Sequence, residues 1–171
     1  MERGVGLSGW NIGKDTTVFS LPIKIQPAQI NIDTIKIGGL VCYESIYPTL
    51  VSEFVKHGAD FIAVVTNDSW YGNLSGPYQH KEFGALRAVE NRKTIVRAAN
   101  GGISCIINPL GKTEVQTKMF TKSYIVGDVV LDETETFFTR NSLLIPILCS
   151  AFSIWIAGIL ILKKLKIAFK L

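Results

Sequence analysis

The hydrophobic pattern along the chain changes period several times, and each change marks an element. IKIGGLVC (35–42) is a β-branched apolar run ending at a cysteine, which predicts a buried strand. Leu50, Val51, Phe54 and Val55 in YPTLVSEFVKHGAD (47–60) recur at helical spacing, and Gly58 supplies a helix stop. FIAVVTND (61–68) is short, apolar and opens into polar residues, as an interior parallel strand does. SWYGNLSGP (69–77) is a loop. The segment 77–94 predicts a long amphipathic helix, with Pro77 at its start and an apolar face of Phe83, Ala85, Leu86 and Val89. Two strand-like runs flank Gly101–Gly102 within 94–109, LGKTE forms a turn, and SYIVGDVVL (123–131) predicts a final strand. The first 30 residues are turn-rich, and LPIKIQPAQ (21–29) reads as loop or edge strand. Strand, helix, strand, helix and then several strands indicate an α/β layered domain.

The last apolar stretch is of another kind. Leu143 to Leu162 contains no charged residue, about the length a helix needs to cross a bilayer core. It accounts for a mean hydropathy of +0.28. A buried core helix with a basic tail is the other reading, but such helices rarely run this long without a polar stripe. Pro146 sits near the helix start, where proline is tolerated. Lys163, Lys164, Lys166 and Lys170 follow the run, and no acid does. Without these four lysines, the 18 basic residues fall level with the 14 acidic ones, so the net charge of +4 does not point to nucleic acid. A lysine cluster at one end of a span stays cytoplasmic, which places residues 1–141 on the outer side. The expected organisation is a catalytic part (1–131), a linker (132–141), a transmembrane helix (142–163) and a basic cytoplasmic tail (164–171). MERGVGLSGWNIGKD has no apolar signal core, although this orientation requires export. The expectation is that earlier membrane spans belong to the same protein and precede this segment.

Three cysteines are too few and too oddly placed for a disulfide framework. Cys149 lies in the apolar run, and Cys105 in ISCII reads as a buried core thiol. Cys42 differs, because it closes a strand just before a helix, where the loops of α/β sheets gather functional groups. A thiol there becomes a nucleophile if nearby positive charge or dipoles stabilise the thiolate. A buried structural thiol is the alternative, and position alone leaves both open. Glu44 offers a carboxylate two residues on, and Asn67 and Asp68 stand at the end of the neighbouring strand beside Trp70 and Tyr71. Together they predict one cleft, with an Asx turn as the plainer account of Asn67 and Asp68.

The remaining polar residues read as structural. Glu90 and Asn91, near Arg87 and Arg97, predict ion pairing that pins elements together. His57 suits a helix C-terminus. His80, near a helix start, could line a cleft, but it has no ordering partner in its motif, which argues against a Cys–His protease. No metal-ligand cluster or Gly-rich phosphate loop is visible, so no cofactor is expected.

The motifs GLVCYES around Cys42, TNDSWYG (66–72), GPYQH (76–80), RAVENRKTIVRAANGGIS (87–104) and NPLGK (108–112) occur in the order seen in the nitrilase superfamily, which the chain resembles. The Cys-Tyr-Glu wording, Asn-Asp-x-Trp-Tyr-Gly, Gly-Pro-x-Gln-His and a membrane helix after Phe138 and Arg140 resemble its apolipoprotein N-acyltransferase branch. The resemblance implies part of an α-β-β-α sandwich with a Glu-Lys-Cys triad. It implies that Cys42 is the nucleophile and Glu44 a further active-site residue, and that Tyr43, Asn67, Asp68 and Trp70 shape the substrate pocket. It also implies a phospholipid acyl donor, a diacylglyceryl-modified apolipoprotein acceptor and a bacterial inner-membrane setting.

The family's triad Glu and Lys lie well upstream of the cysteine, whereas 41 residues precede Cys42 here. Glu2, Lys14 and Lys24 stand in no matching motif, so the chain alone is expected to be inactive. Two other readings compete: a carbon–nitrogen hydrolase acting on a soluble amide, and a membrane-tethered remnant without catalysis. The apolar helix at 143–162 discriminates against the first.

Overall fold

The computed structural model describes residues 15–23 and 34–168. Glu2, Lys14 and Lys24, with most of LPIKIQPAQ, lie outside the described residues. Six strands form one mixed sheet in chain order: β1 (Val18–Pro22), β2 (Thr34–Val41), β3 (Phe61–Asn67), β4 (Ile95–Asn100), β5 (Cys105–Ile107) and β6 (Thr113–Gln116). β2, β3 and β4 run parallel, with Leu40 opposite Val64 and Val64 opposite Arg97. β1 flanks them antiparallel to β2, and β5 and β6 complete the other side as antiparallel strands.

The parallel strands are joined by α1 (Pro48–Lys56) and α2 (Gly76–Asn91), which bury one face of the sheet. Leu40, Ile62, Val64, Ile95 and Ile107 from the strands meet Val51, Phe54 and Val55 of α1 and Ala88 of α2. At about 25 cal/mol per Å² of apolar surface removed from water, such a cluster is the main favourable contribution to folding. α1 matches its sequence expectation, ending at His57 with Gly58 in a left-handed conformation (φ +88°). On the opposite face the cross-strand row Val41, Val65 and Ala98 is exposed. The described residues thus form one helical layer and one sheet, consistent with part of the sandwich expected from sequence.

Two expectations need correction. α2 does not bury Phe83, Leu86 and Val89, which are 39–47% exposed. It turns Pro77, His80, Gly84, Arg87, Ala88 and Asn91 inward. That stripe also has helical spacing, and its polar members are tolerated because they find partners. Arg87 pairs with Glu90 and reaches the Ile46 carbonyl, while the Asn91 amide donates to the Arg87 carbonyl and accepts from Ser52 and Thr139.

Residues 123–131 form no strand. The alternation is there, but the segment bonds to the sheet through a side chain: the Thr94 hydroxyl accepts from Val130 N and lies against Val130 O. Tyr124 and Val126 point into solvent. A strand stands earlier in the chain instead, β6, which begins inside the LGKTE segment at Thr113.

The segment expected to be a linker contains a helical turn, α3 (Phe137–Arg140). Thr136 caps it by accepting from Thr139 N, and its hydroxyl donates to the Glu90 carbonyl at the end of α2. Buried Thr139 donates to Asn91. α4 (Leu144–Ala168) then begins, and its stretch Leu144–Lys164 is long and apolar enough to cross a membrane, with none of it buried in the structure.

Candidate active site at the carboxyl ends of the parallel strands

β2 ends at Val41, and Cys42 opens a 3-10 turn (Cys42–Ile46) that leads into α1. Its backbone has φ +53°, a left-handed conformation that a non-glycine residue rarely adopts. Holding a residue there costs about 1–3 kcal/mol and occurs preferentially at functional sites. The geometry is a sharp bend at a strand end, with the partly buried thiol carried on its apex. The turn is braced locally. Glu44 Oε2 accepts from Val41 N at 2.7 Å, and Ser45 Oγ donates to the Cys42 carbonyl at 2.8 Å.

β3 runs beside β2 in parallel, with Val41 opposite Val65, so the two strand ends form one rim. The structure therefore brings Cys42, Tyr43 and Glu44 to the same edge as Asn67, Asp68 and Trp70. Asn67 forms the Asx turn, its Oδ1 accepting from Ser69 N and Ser69 Oγ, and also from Asn100 across the rim. Trp70 is 73% exposed, with its indole N–H on the Asn67 carbonyl. Asp68 is fully buried and shapes the rim from beneath: Oδ2 accepts from Arg97 at 2.6 Å, and Oδ1 accepts from Thr66 and lies 3.0 Å from His80 Nδ1. Gly102 packs against this carboxylate so closely that a Cβ would collide with it.

One sequence expectation fails here. Arg97 does not join Glu90; it pairs with Asp68 in β4's register with β3. His80 has no partner in its own motif, as expected, and finds one in Asp68 at the end of β3. Both partners come from different elements, so no local motif reveals the pair. Arg87 and Glu90 do pair, at 3.1 Å. Partial burial lowers the Arg87 pKa and raises that of Glu90, each opposed by the partner's charge.

Sequence reading also missed Tyr71 as a site residue. Its hydroxyl donates to that of Tyr43, and this bond, with desolvation next, pushes its pKa up to about 12. The Tyr43 ring in turn stacks on His80, with centroids 5.2 Å apart. Cys105 is buried as expected, and desolvation raises its thiol to about 11. Lys93 is a buried lysine at the opposite, amino end of β4, where it donates to the Asp132 carbonyl; desolvation lowers its pKa. It is at the wrong end of the sheet to serve Cys42. Among the described residues, no group of three or more His, Cys, Asp or Glu is arranged to hold a metal ion.

Such a rim can present a nucleophilic thiol beside aromatic surface on a rigid sheet. The carbon-nitrogen hydrolase family pattern matches residues 2–137. The chain is 37% identical to apolipoprotein N-acyltransferase of Chlorobaculum tepidum over 158 residues, covering 92% of this chain and 28% of that protein. It is 39% identical to the enzyme of the same name from Geobacter metallireducens over 129 residues, covering 75% and 25%. A solved Saccharomyces cerevisiae member of the nitrilase superfamily is 20% identical, with a TM-score of 0.46, over 64% of this chain and 39% of that one. The chain spans about a quarter of the length of these curated relatives. By the family match over most of its length, the chain belongs to the carbon–nitrogen hydrolase family.

Proposed function

We propose that this chain is the nucleophile-bearing part of an apolipoprotein N-acyltransferase. The observation that carries the reading is Cys42, held at positive φ on a strand-end bend in a chain that continues into a span-length apolar helix. Relatives of that name match 92% and 75% of the chain, which supports it further.

In the proposed reaction the Cys42 thiolate attacks the ester carbonyl of a phospholipid. The S–C bond forms, the C–O bond breaks, and the lysophospholipid oxygen leaves with the proton. The α-amine of a diacylglyceryl-modified N-terminal cysteine then attacks the thioester. An N–C bond forms, C–S breaks, and the amine proton returns to the thiol. A carboxylate base and a cation facing the oxyanion would lower both barriers. The resemblance implies a Glu and a Lys for these tasks, and no residue of this chain is assigned to either. The chain alone is therefore proposed to be inactive and to work within a longer protein. Glu44 is proposed as a further active-site carboxylate, with Tyr43, Asn67, Asp68 and Trp70 shaping the pocket. α4 is proposed to span the bacterial inner membrane, with the site outside and the lysine-rich end in the cytoplasm.

The test is intact-protein mass spectrometry of the full-length protein after incubation with phospholipid, beside Cys42→Ala. A fatty-acyl mass increment on the unsubstituted protein, absent from the variant, is expected. An increment that persists in Cys42→Ala overturns the assignment of the nucleophile.

A further inference from the structure

The buried polar side chains beneath the rim form a continuous path that ends on Cys42. Arg97 on β4 holds Asp68 Oδ2 at 2.6 Å, and Asp68 Oδ1 faces His80 Nδ1 at 3.0 Å. His80 Nε2 lies 3.2 Å from both the Cys42 carbonyl oxygen and Ser45 Oγ, which itself donates to that carbonyl. Arg97, Asp68 and His80 are at most 3% exposed. Four separate motifs of the sequence thus converge on one backbone oxygen.

We infer that His80 is a positioning residue for Cys42: braced by Asp68 and Arg97, its imidazole fixes the Cys42 carbonyl and so holds the left-handed backbone that aims the thiol. This rests on the proposed role of Cys42 as nucleophile. The geometry also says what His80 does not do. Neither ring nitrogen bonds the thiol: Nδ1 faces Asp68, and Nε2 faces the Cys42 carbonyl and Ser45. The same ring stacks on Tyr43, the next residue of the bend. A strained φ persists only where its surroundings over-determine it, and this path is the part of the surroundings that reaches Cys42 from β3, β4 and α2. Misplacing a nucleophile by about 1 Å can slow a reaction by about 100-fold.

The experiment compares His80→Gln and His80→Asn in the full-length protein. Glutamine can place an amide where Nε2 stood, whereas asparagine reaches only the Asp68 side. Two rates are measured: fatty-acyl thioester formation from phospholipid, and alkylation of Cys42 by iodoacetamide, followed by peptide mass spectrometry. For His80→Asn, kcat for acylation is expected to fall about 10- to 100-fold with KM for phospholipid little changed. Alkylation should slow in parallel, and His80→Gln should recover most of both rates. Ser45→Ala, a milder change to the same carbonyl, should slow acylation by about fivefold, the worth of one hydrogen bond; it decides the matter if His80→Asn fails to fold. Wild-type rates in His80→Asn, or equal loss in Asn and Gln variants, overturn the inference, as does an unaffected Ser45→Ala where His80→Asn does not fold. If the unsubstituted protein takes up no acyl group, the alkylation rates still judge His80, and the acyltransferase reading alone fails.

Discussion

α1 and α2 pack side by side on the same face of the same sheet, yet they are built on opposite principles. α1 buries Val51, Phe54 and Val55. α2 buries His80, Arg87 and Asn91, and leaves Phe83, Leu86 and Val89 partly in solvent. Apolar burial is non-directional and holds α1 in place without specifying neighbours in detail. A buried polar side chain is tolerated only where its partners stand at the right distance, so α2's position is specified atom by atom. The helix that must be exact is the one whose first turns reach the Cys42 bend.

This contrast can be broken from either side. The largest loss is expected for Asp68→Ala, which leaves Arg97 charged, buried and unpaired; urea denaturation in detergent should show about 3–5 kcal/mol lost. An unchanged denaturation midpoint would mean the buried pair does not organise this layer. Phe54→Ala attacks the apolar side by opening a cavity in the core, and about 3 kcal/mol is expected by the same measurement. A loss far below 1 kcal/mol would show that α1 is not a principal apolar support. Thr136→Ala removes the cap of α3 and its bond to the end of α2, for about 1 kcal/mol. Phe83→Gln replaces the residue that simple amphipathic reading places in the core. Its effect should stay within about 0.5 kcal/mol, and a loss of several kcal/mol would restore the original expectation for α2.

The same contrast explains what was legible in the sequence. The strands β2 and β3 and the helix α1 declare themselves through apolar periodicity, since burial of apolar surface writes itself into local spacing. The rim of Cys42, Tyr43, Glu44, Asn67, Asp68 and Trp70 was legible too, because strand ends in a parallel sheet are level by construction. What stayed hidden depends on partners far apart in the chain. The inward stripe His80, Arg87 and Asn91 has helical spacing, but polar residues at that spacing ordinarily mark the solvent face. Asp68 for His80, Ser52 and Thr139 for Asn91, and Glu90 with the Ile46 carbonyl for Arg87 make it a buried one. The left-handed backbone at Cys42 leaves no trace in composition, because cysteine, unlike glycine or asparagine, does not mark a positive φ in a sequence. Residues 123–131 show the converse failure: correct alternation is not enough where the segment meets side chains of the sheet, as Gly127 meets Ile106 and Val115, and makes no ladder of backbone bonds.

The docked turn α3 has a mechanical meaning. Asn141–Leu143, three residues, separate it from the first residue of α4. Fully extended at about 3.5 Å per residue, that leash would reach about 10 Å, but here it is a hydrogen-bonded turn, with Leu144 N donating to the Asn141 carbonyl and Ser142 buried. Once α4 is embedded in a bilayer, the folded domain hovers at a nearly constant altitude over the lipid and cannot drift off on a long tether. Lengthening the leash would leave every atom of the rim in place, yet would dilute the thiol relative to any substrate confined to the membrane plane.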